Sequence, residues 1–455
     1  MLFNHISNDD PEEKNLNFIE KIFFLCFFCI PLKFFTFKIE TISLGFTRIL
    51  MILLIPIFIF HFFQKIKDKQ SLLINPVYFN KYCFVLFIYA AFSYLISILI
   101  YDGQDLSSRI HLSSLSFFES FFIIPFLFFI LVPSPKRQLK ILKLVFKWLK
   151  IVILIAFIQF LMDLGGLSVS YERFGEPAPE NRGVLFGLDI LRVNSFFGEP
   201  RGLAVCLIPI YLLNKISLND SFKIIDILII FTIGVLTLSS SFILTIIVYL
   251  LIWSLFISPK FRIFSVSFFA SIVLLYLINF DLIKDSLIEI IPRFEIVFEI
   301  LSPDVISNIA EISPEFKAQI SDVSLVGYML NGEIIKLSGL FGNGLGSGHF
   351  AIDQIASSYF NLQNDGTIYG SRWLFYTMLL EIGVIGLALF YLNLKTIFNN
   401  TSSRLKKHKL YIMIFFALSL LSSVYFFVLL SVYLSIEYKA TNSNNNNNKK
   451  FQNLY

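Results

Sequence analysis

The sequence predicts an all-α polytopic membrane protein with about 11–12 transmembrane helices and a large periplasmic loop. Three observations carry this. Of 455 residues 56% are hydrophobic and only 15% charged, too few polar groups to clothe a water-soluble chain of this length. The apolar residues come in unbroken runs of roughly 17 to 25, the length an α-helix needs to cross a bilayer, whereas a β-barrel would show short alternating segments. Lys and Arg gather in alternate connections between those runs, as the positive-inside rule requires.

The elements follow in order. A polar segment, 1–17, precedes an apolar run without a small-residue cleavage site, so the first helix is expected to remain as an anchor. Spans are expected at 18–36, 42–63, 82–101, 112–132, 144–164, 199–216, 223–240, 241–257, 262–280, 372–397 and 410–437. The last would be ~40 Å long against a ~30 Å hydrocarbon core, so it either tilts or breaks near Ser422-Ser423. Lys65, Lys67, Lys69 and Lys81, the cluster from Lys136 to Lys147, Lys215 and Lys223, Lys260 and Arg262, and the cluster from Arg404 to Lys409 mark the cytoplasmic connections. Two long connections, 165–198 and 281–371, then face the periplasm. The chain divides into N-terminal helices (1–280, with the short loop at 165–198), a large loop (281–371), C-terminal helices (372–438) and an asparagine-rich tail (439–455) expected to be disordered.

The net charge of +5 is spread over these connections rather than gathered on a soluble domain, so no nucleic-acid partner is expected. Cys26, Cys29, Cys83 and Cys206 lie in apolar runs. Cys26 and Cys29 have the spacing of a redox or zinc pair but lack a second pair or a nearby His, so they are read as packing residues. No cofactor and no metal site is expected.

The stretch from Arg192 to Gly202 sets two arginines and a glutamate at the mouth of an apolar helix. Pro200 suits a first helical turn and Glu199 complements the helix dipole, so helix-start physics accounts for that pair. It does not account for Arg192 and Arg201. Two guanidinium groups beside free helix N–H groups make a plausible diphosphate clamp. Arg182, in the same loop, is either a surface charge or part of a polar cleft.

Gly342-Asn343-Gly344-Leu345-Gly346-Ser347-Gly348-His349 superficially looks like a dinucleotide loop, but no strand precedes it and it lies on the outer face, so that reading is rejected. Its glycines permit sharp turns or close approach to a ligand, and His349 is a candidate base or hydrogen-bond donor. Arg372 opens the following span. Glu381, about two and a half turns in, needs a polar partner or a cavity, and Glu119 raises the same question. Thr237 to Ser241 forms a tight turn whose hydroxyls satisfy backbone groups.

Together these pieces resemble the bacterial O-antigen polymerase and O-antigen ligase superfamily of membrane glycosyltransferases. The resemblance rests on Ser195-Phe196-Phe197-Gly198-Glu199-Pro200, Leu340-Phe341-Gly342-Asn343-Gly344-Leu345-Gly346 and Leu380-Glu381-Ile382-Gly383-Val384-Ile385-Gly386, with Thr237 to Ser241 a weaker fourth. It covers about 165–400. The Glu-Pro form of the first motif looks like polymerases. Ligases have Asp-Pro-Asn there and a His-Asn pair where this chain reads Tyr369-Gly370-Ser371-Arg372.

The resemblance implies a bacterial inner-membrane enzyme whose substrate is an oligosaccharide repeat unit on a polyprenyl diphosphate, polymerised at the periplasmic face alongside other polysaccharide-assembly membrane proteins. Under that reading Arg192 and Arg201, with Arg372 as a third and Arg182 nearby, hold the diphosphate, and Glu199 or His349 activates the acceptor hydroxyl. The alternatives are a ligase that moves polymer to lipid A core, and a transporter or flippase, since intramembrane charges also mark transport paths.

Overall fold

The computed structural model describes residues 16–29, 36–39, 42–67, 75–101, 107–167, 182–185, 188–197, 200–218, 224–257, 263, 267, 271, 338–348, 350, 374–400, 405, 408–422 and 426–438. The described chain is mostly helical. Its helices are α1 (Phe18–Cys29), α2 (Phe46–Lys67), α3 (Lys81–Tyr101), α4 (Ser107–Phe118), α5 (Ile124–Leu131), α6 (Pro135–Leu164), α7 (Pro200–Leu218), α8 (Ile224–Leu236), α9 (Ser240–Ile257), α10 (Leu374–Asn399), α11 (Lys409–Ser422) and α12 (Phe426–Tyr438).

Among the described residues four helical stretches are long and apolar enough to cross a membrane: Thr47–Gln64, Lys81–Tyr101, Ile110–Leu131 and Leu374–Asn399. Outward faces of these and of the shorter helix α8 are apolar too. Phe60 and Phe63 on α2, Phe84, Phe92 and Leu99 on α3, and Ile224 and Phe231 on α8 are all exposed. Water would penalise such a surface and lipid would not. This is the make-up of an all-α membrane protein.

Two departures from the sequence reading concern the ends of spans. Short antiparallel hairpins, β1 (Thr36–Ile39) with β2 (Ile42–Gly45) and β3 (Arg182–Leu185) with β4 (Leu188–Leu191), enter an architecture expected to be all-α. The expected span from 42 begins as strand, and its helix starts at Phe46. The helix that holds the span expected at 144–164 begins at Pro135, so the basic cluster from Lys136 to Lys147 is helical rather than a loop. Proline fits there because the first turn needs no N–H from it.

Local signals explain where helices begin and bend. Asn17 and Glu20 form a reciprocal capping box at α1, each side chain accepting the other's backbone N–H at 2.9 Å. Asn80 caps α3 through Tyr82 N at 2.9 Å and Cys83 N at 3.2 Å. Between α4 and α5 the helix widens into a π-turn, Glu119–Ile123. Pro125 has no N–H to give the carbonyl of Phe121, and the Tyr78 hydroxyl donates to that carbonyl instead, at 2.9 Å. Arg48 on α2 reaches Glu119, its Nε lying 3.0 Å from both carboxylate oxygens, and its other N–H groups bind Leu112 O and Ser116 Oγ. The two intramembrane charges thus satisfy one another.

The core lies among α1, α3, α5, α6, α7, α11 and α12 and is dense in aromatic residues such as Phe23, Phe128, Phe146, Phe415 and Tyr433. α7 packs on α6, α9 and α11, while α10 packs chiefly on α3. These two groupings carry the two polar regions of interest.

Candidate functional site

The first region is built around Arg192. The hairpin β3–β4 sets Arg182 opposite Leu191 and Gly183 opposite Ile190, which brings the Arg182 backbone beside the residue preceding Arg192. The strand is then tied to α6 by two polar side chains one turn apart. Asp163 accepts the Leu191 N–H at 2.8 Å. Gln159 Oε1 accepts the N–H groups of Asn194 and Ser195 at 3.2 and 3.0 Å, and its amide donates to Asn194 Oδ1 at 2.9 Å. Ser195 takes the left-handed φ of 48°, and its hydroxyl donates to Val152 O at 2.7 Å.

On the other side the segment is tied to the α8–α9 turn. Val193 donates to Leu236 O at 3.2 Å, and Arg192 Nε donates to Thr237 O at 3.2 Å. The Thr237 hydroxyl donates to Gly234 O at 2.6 Å, the local backbone satisfaction expected of this turn. Arg192 is only 9% exposed, with Asn194 and Ser195 buried beside it. Gly183 makes room for it, because a Cβ there would lie 2.7 Å from Leu238 Cδ1 and 3.3 Å from Arg192 Cδ. A short 3-10 turn, Ser195–Phe197, then leads to α7, whose second residue, Arg201, is half-buried.

The structure therefore places Arg192 on a braced, buried strand end and Arg201 in the first turn of α7, with the Arg182 backbone on the paired strand. Glu199, His349 and Arg372 lie outside the described residues, as does the side chain of Arg182. Among the described residues no His, Cys, Asp and Glu group has a metal-binding arrangement.

The second region joins the glycine stretch to Glu381. α10 is broken at Gly383, where φ is 64° and ψ −169°, a conformation essentially reserved for glycine. Such a break strands backbone groups that a helix would pair, and each must find a partner inside a membrane. The glycine stretch supplies them. Asn343 N donates to Leu380 O at 2.8 Å and Gly344 N to Glu381 O at 3.0 Å, while Ile385 N donates to Leu340 O at 3.1 Å. α3 completes the set: Tyr89 Oη donates to Phe341 O and Ile382 O, both at 3.0 Å, and Ser93 Oγ to Glu381 O at 3.2 Å. Ser97 and Ser114 hydroxyls both donate to Leu345 O at 2.9 Å.

The side chain of Glu381 is buried at 7% exposure, and its Oε1 accepts the Gly348 N–H at 3.3 Å. The partner that Glu381 needed is thus a backbone N–H of the glycine stretch. Close approach explains the glycines. A Cβ on Gly342 would lie 2.5 Å from Glu381 O, and one on Gly348 would lie 2.8 Å from Glu381 Oε1.

Sequence reasoning passed over Gln159, Asp163, Tyr89, Ser93 and Ser97. A signal existed, since Gln159 and Asp163, and likewise Tyr89, Ser93 and Ser97, recur four apart within apolar runs and so share one helix face.

Fold and site define a class: a helical membrane protein with a braced arginine segment and a glycine-filled break in one span. No family model, curated protein or solved structure matches the chain.

Proposed function

We propose that the chain is a multi-pass enzyme of a bacterial inner membrane that polymerises oligosaccharide repeat units carried on a polyprenyl diphosphate, working on the periplasmic face. The observation that carries this reading is Arg192, a nearly buried guanidinium held on a strand end by Thr237 O and by the anchoring of its neighbours to Gln159 and Asp163. A guanidinium fixed in place in this way presents N–H groups in a geometry that suits the oxygens of a diphosphate leaving group. In this mechanism an acceptor hydroxyl attacks the anomeric carbon, the bond from that carbon to the diphosphate oxygen breaks, and the clamp of Arg192 and Arg201 stabilises the charge left on the lipid diphosphate. Glu199 or His349 takes the hydroxyl proton, and Arg372 and Arg182 complete the anion site. The full reading has about 11–12 spans and places the loops 165–198 and 281–371 in the periplasm.

Purified protein incubated with its lipid-linked repeat unit is expected to yield a ladder of longer chains, detected by gel and mass spectrometry. Arg192→Ala and Arg201→Ala should each lower the rate about 100-fold or more if the charge develops in the transition state. Ladders of unchanged rate in both variants overturn the clamp. Growth of lipid A core rather than of the lipid-linked chain would reassign the enzyme as a ligase.

A second reading is favoured by one observation, the break at Gly383 beside buried Glu381, because interrupted spans with ionisable groups also occur in transporters. Movement of substrate across sealed vesicles without a new glycosidic bond would select it.

A further inference from the structure

Outside the two polar regions, α10 and α11 leave a furrow of 1110 Å³ between them, with Phe427 of α12 on its wall. Two small residues produce it. Ala388 on α10 and Ala417 on α11 both line the hollow, where larger side chains would close it. The walls are otherwise apolar, among them Met413 and Tyr391. The polar groups sit at one end. Lys395 lies in the last turns of α10 and Lys409 opens α11, so the reversal of the chain between the two helices brings both to that end. Both lysines are exposed, and neither pairs with a carboxylate among the described residues; Lys409 lies over the Phe398 ring at 5.8 Å.

We propose that this furrow binds one anionic phospholipid, its phosphate held between Lys395 and Lys409 and one acyl chain lying along the alanines. Charge chooses this occupant: paired cations at an apolar mouth match a phosphate head with a hydrocarbon tail attached. The lining of α10 runs from Phe375 to Asn399, with Lys395 near its C-terminal end, so a lipid whose head sits at the lysines can lay its chain along the apolar remainder. It lies apart from the Arg192 segment and does not depend on the reaction proposed there.

The test uses the full-length protein reconstituted with phosphatidylglycerol or phosphatidylcholine carrying the same photoactivatable acyl chain, with cross-linked positions mapped by mass spectrometry. Labelling on Met413, Tyr391 and Phe416 is expected to favour phosphatidylglycerol, and each of Lys395→Gln and Lys409→Gln should reduce that preference by about fivefold. Ala388→Phe with Ala417→Phe should abolish furrow labelling by both lipids while leaving both lysines in place. Equal labelling by the two lipids overturns the proposal, as does a preference unchanged in the lysine variants. A furrow unlabelled by either lipid also overturns it and indicates cover by another segment of the chain or by a second copy. Because the lysines are exposed, their variants should fold, and an unshifted melting temperature checks this.

Discussion

Gln159 makes three hydrogen bonds to the Arg192 segment, so its replacement is expected to matter more than its uncharged side chain suggests. Gln159→Leu strands the N–H groups of Asn194 and Ser195 in a buried setting, at about 1–3 kcal/mol for each unsatisfied group. Thermal unfolding in detergent should show the loss, and the Arg192-dependent rate should fall with it. Arg48 and Glu119 offer a contrast, because each compensates the other's charge. Arg48→Met alone leaves a carboxylate unpaired and should cost about 3–5 kcal/mol, whereas Arg48→Met with Glu119→Met should recover most of that. A double-mutant cycle on melting or denaturant stability reads the difference. An additive double variant would mean that the pair is not coupled.

At the scale of elements, the break in α10 depends on a conformation that only glycine adopts readily. Gly383→Ala places a Cβ against the Gly342 backbone and is expected to destabilise the protein by at least about 1–3 kcal/mol, visible as a lower melting temperature. What could be read from sequence at this scale was helix existence, because runs of apolar residues are dictated by the solvent of the span. The ends were less legible. α6 starts well before 144 because its first turns are basic but still helical, and the hairpin β1–β2 lies where apolarity alone reads as span. Of the candidate site, the weight placed on Arg192 came from its charge at a membrane boundary, which sequence displays. The bracing of that residue was hidden, since Gln159 and Asp163 lie well before it in the sequence and act only after packing. Likewise Glu381 advertised its need for a partner, but the partner is backbone N–H, which every residue carries and no composition reveals.

For the whole molecule, the alternation of basic connections predicts an orientation that accessible thiols can test. All four native cysteines are buried, so the background reactivity toward a membrane-impermeant maleimide should be low. Leu167→Cys is expected to label from the outer face of intact spheroplasts, and Asn399→Cys only after permeabilisation, since both positions are exposed at opposite ends of the expected topology. The reverse pattern would invert the orientation and move the Arg192 segment to the cytoplasmic side. The interrupted helix at Gly383 also bears on how the chain is made. A span with stranded carbonyls is a poor substrate for entry into lipid on its own. Yet Tyr89, Ser93 and residues 339–344 all precede Leu380 in the sequence, so during synthesis from the N-terminus the groups that complete the break already exist when it emerges. Biogenesis can thus close the gap as α10 arrives, with no wait for any later part of the polypeptide.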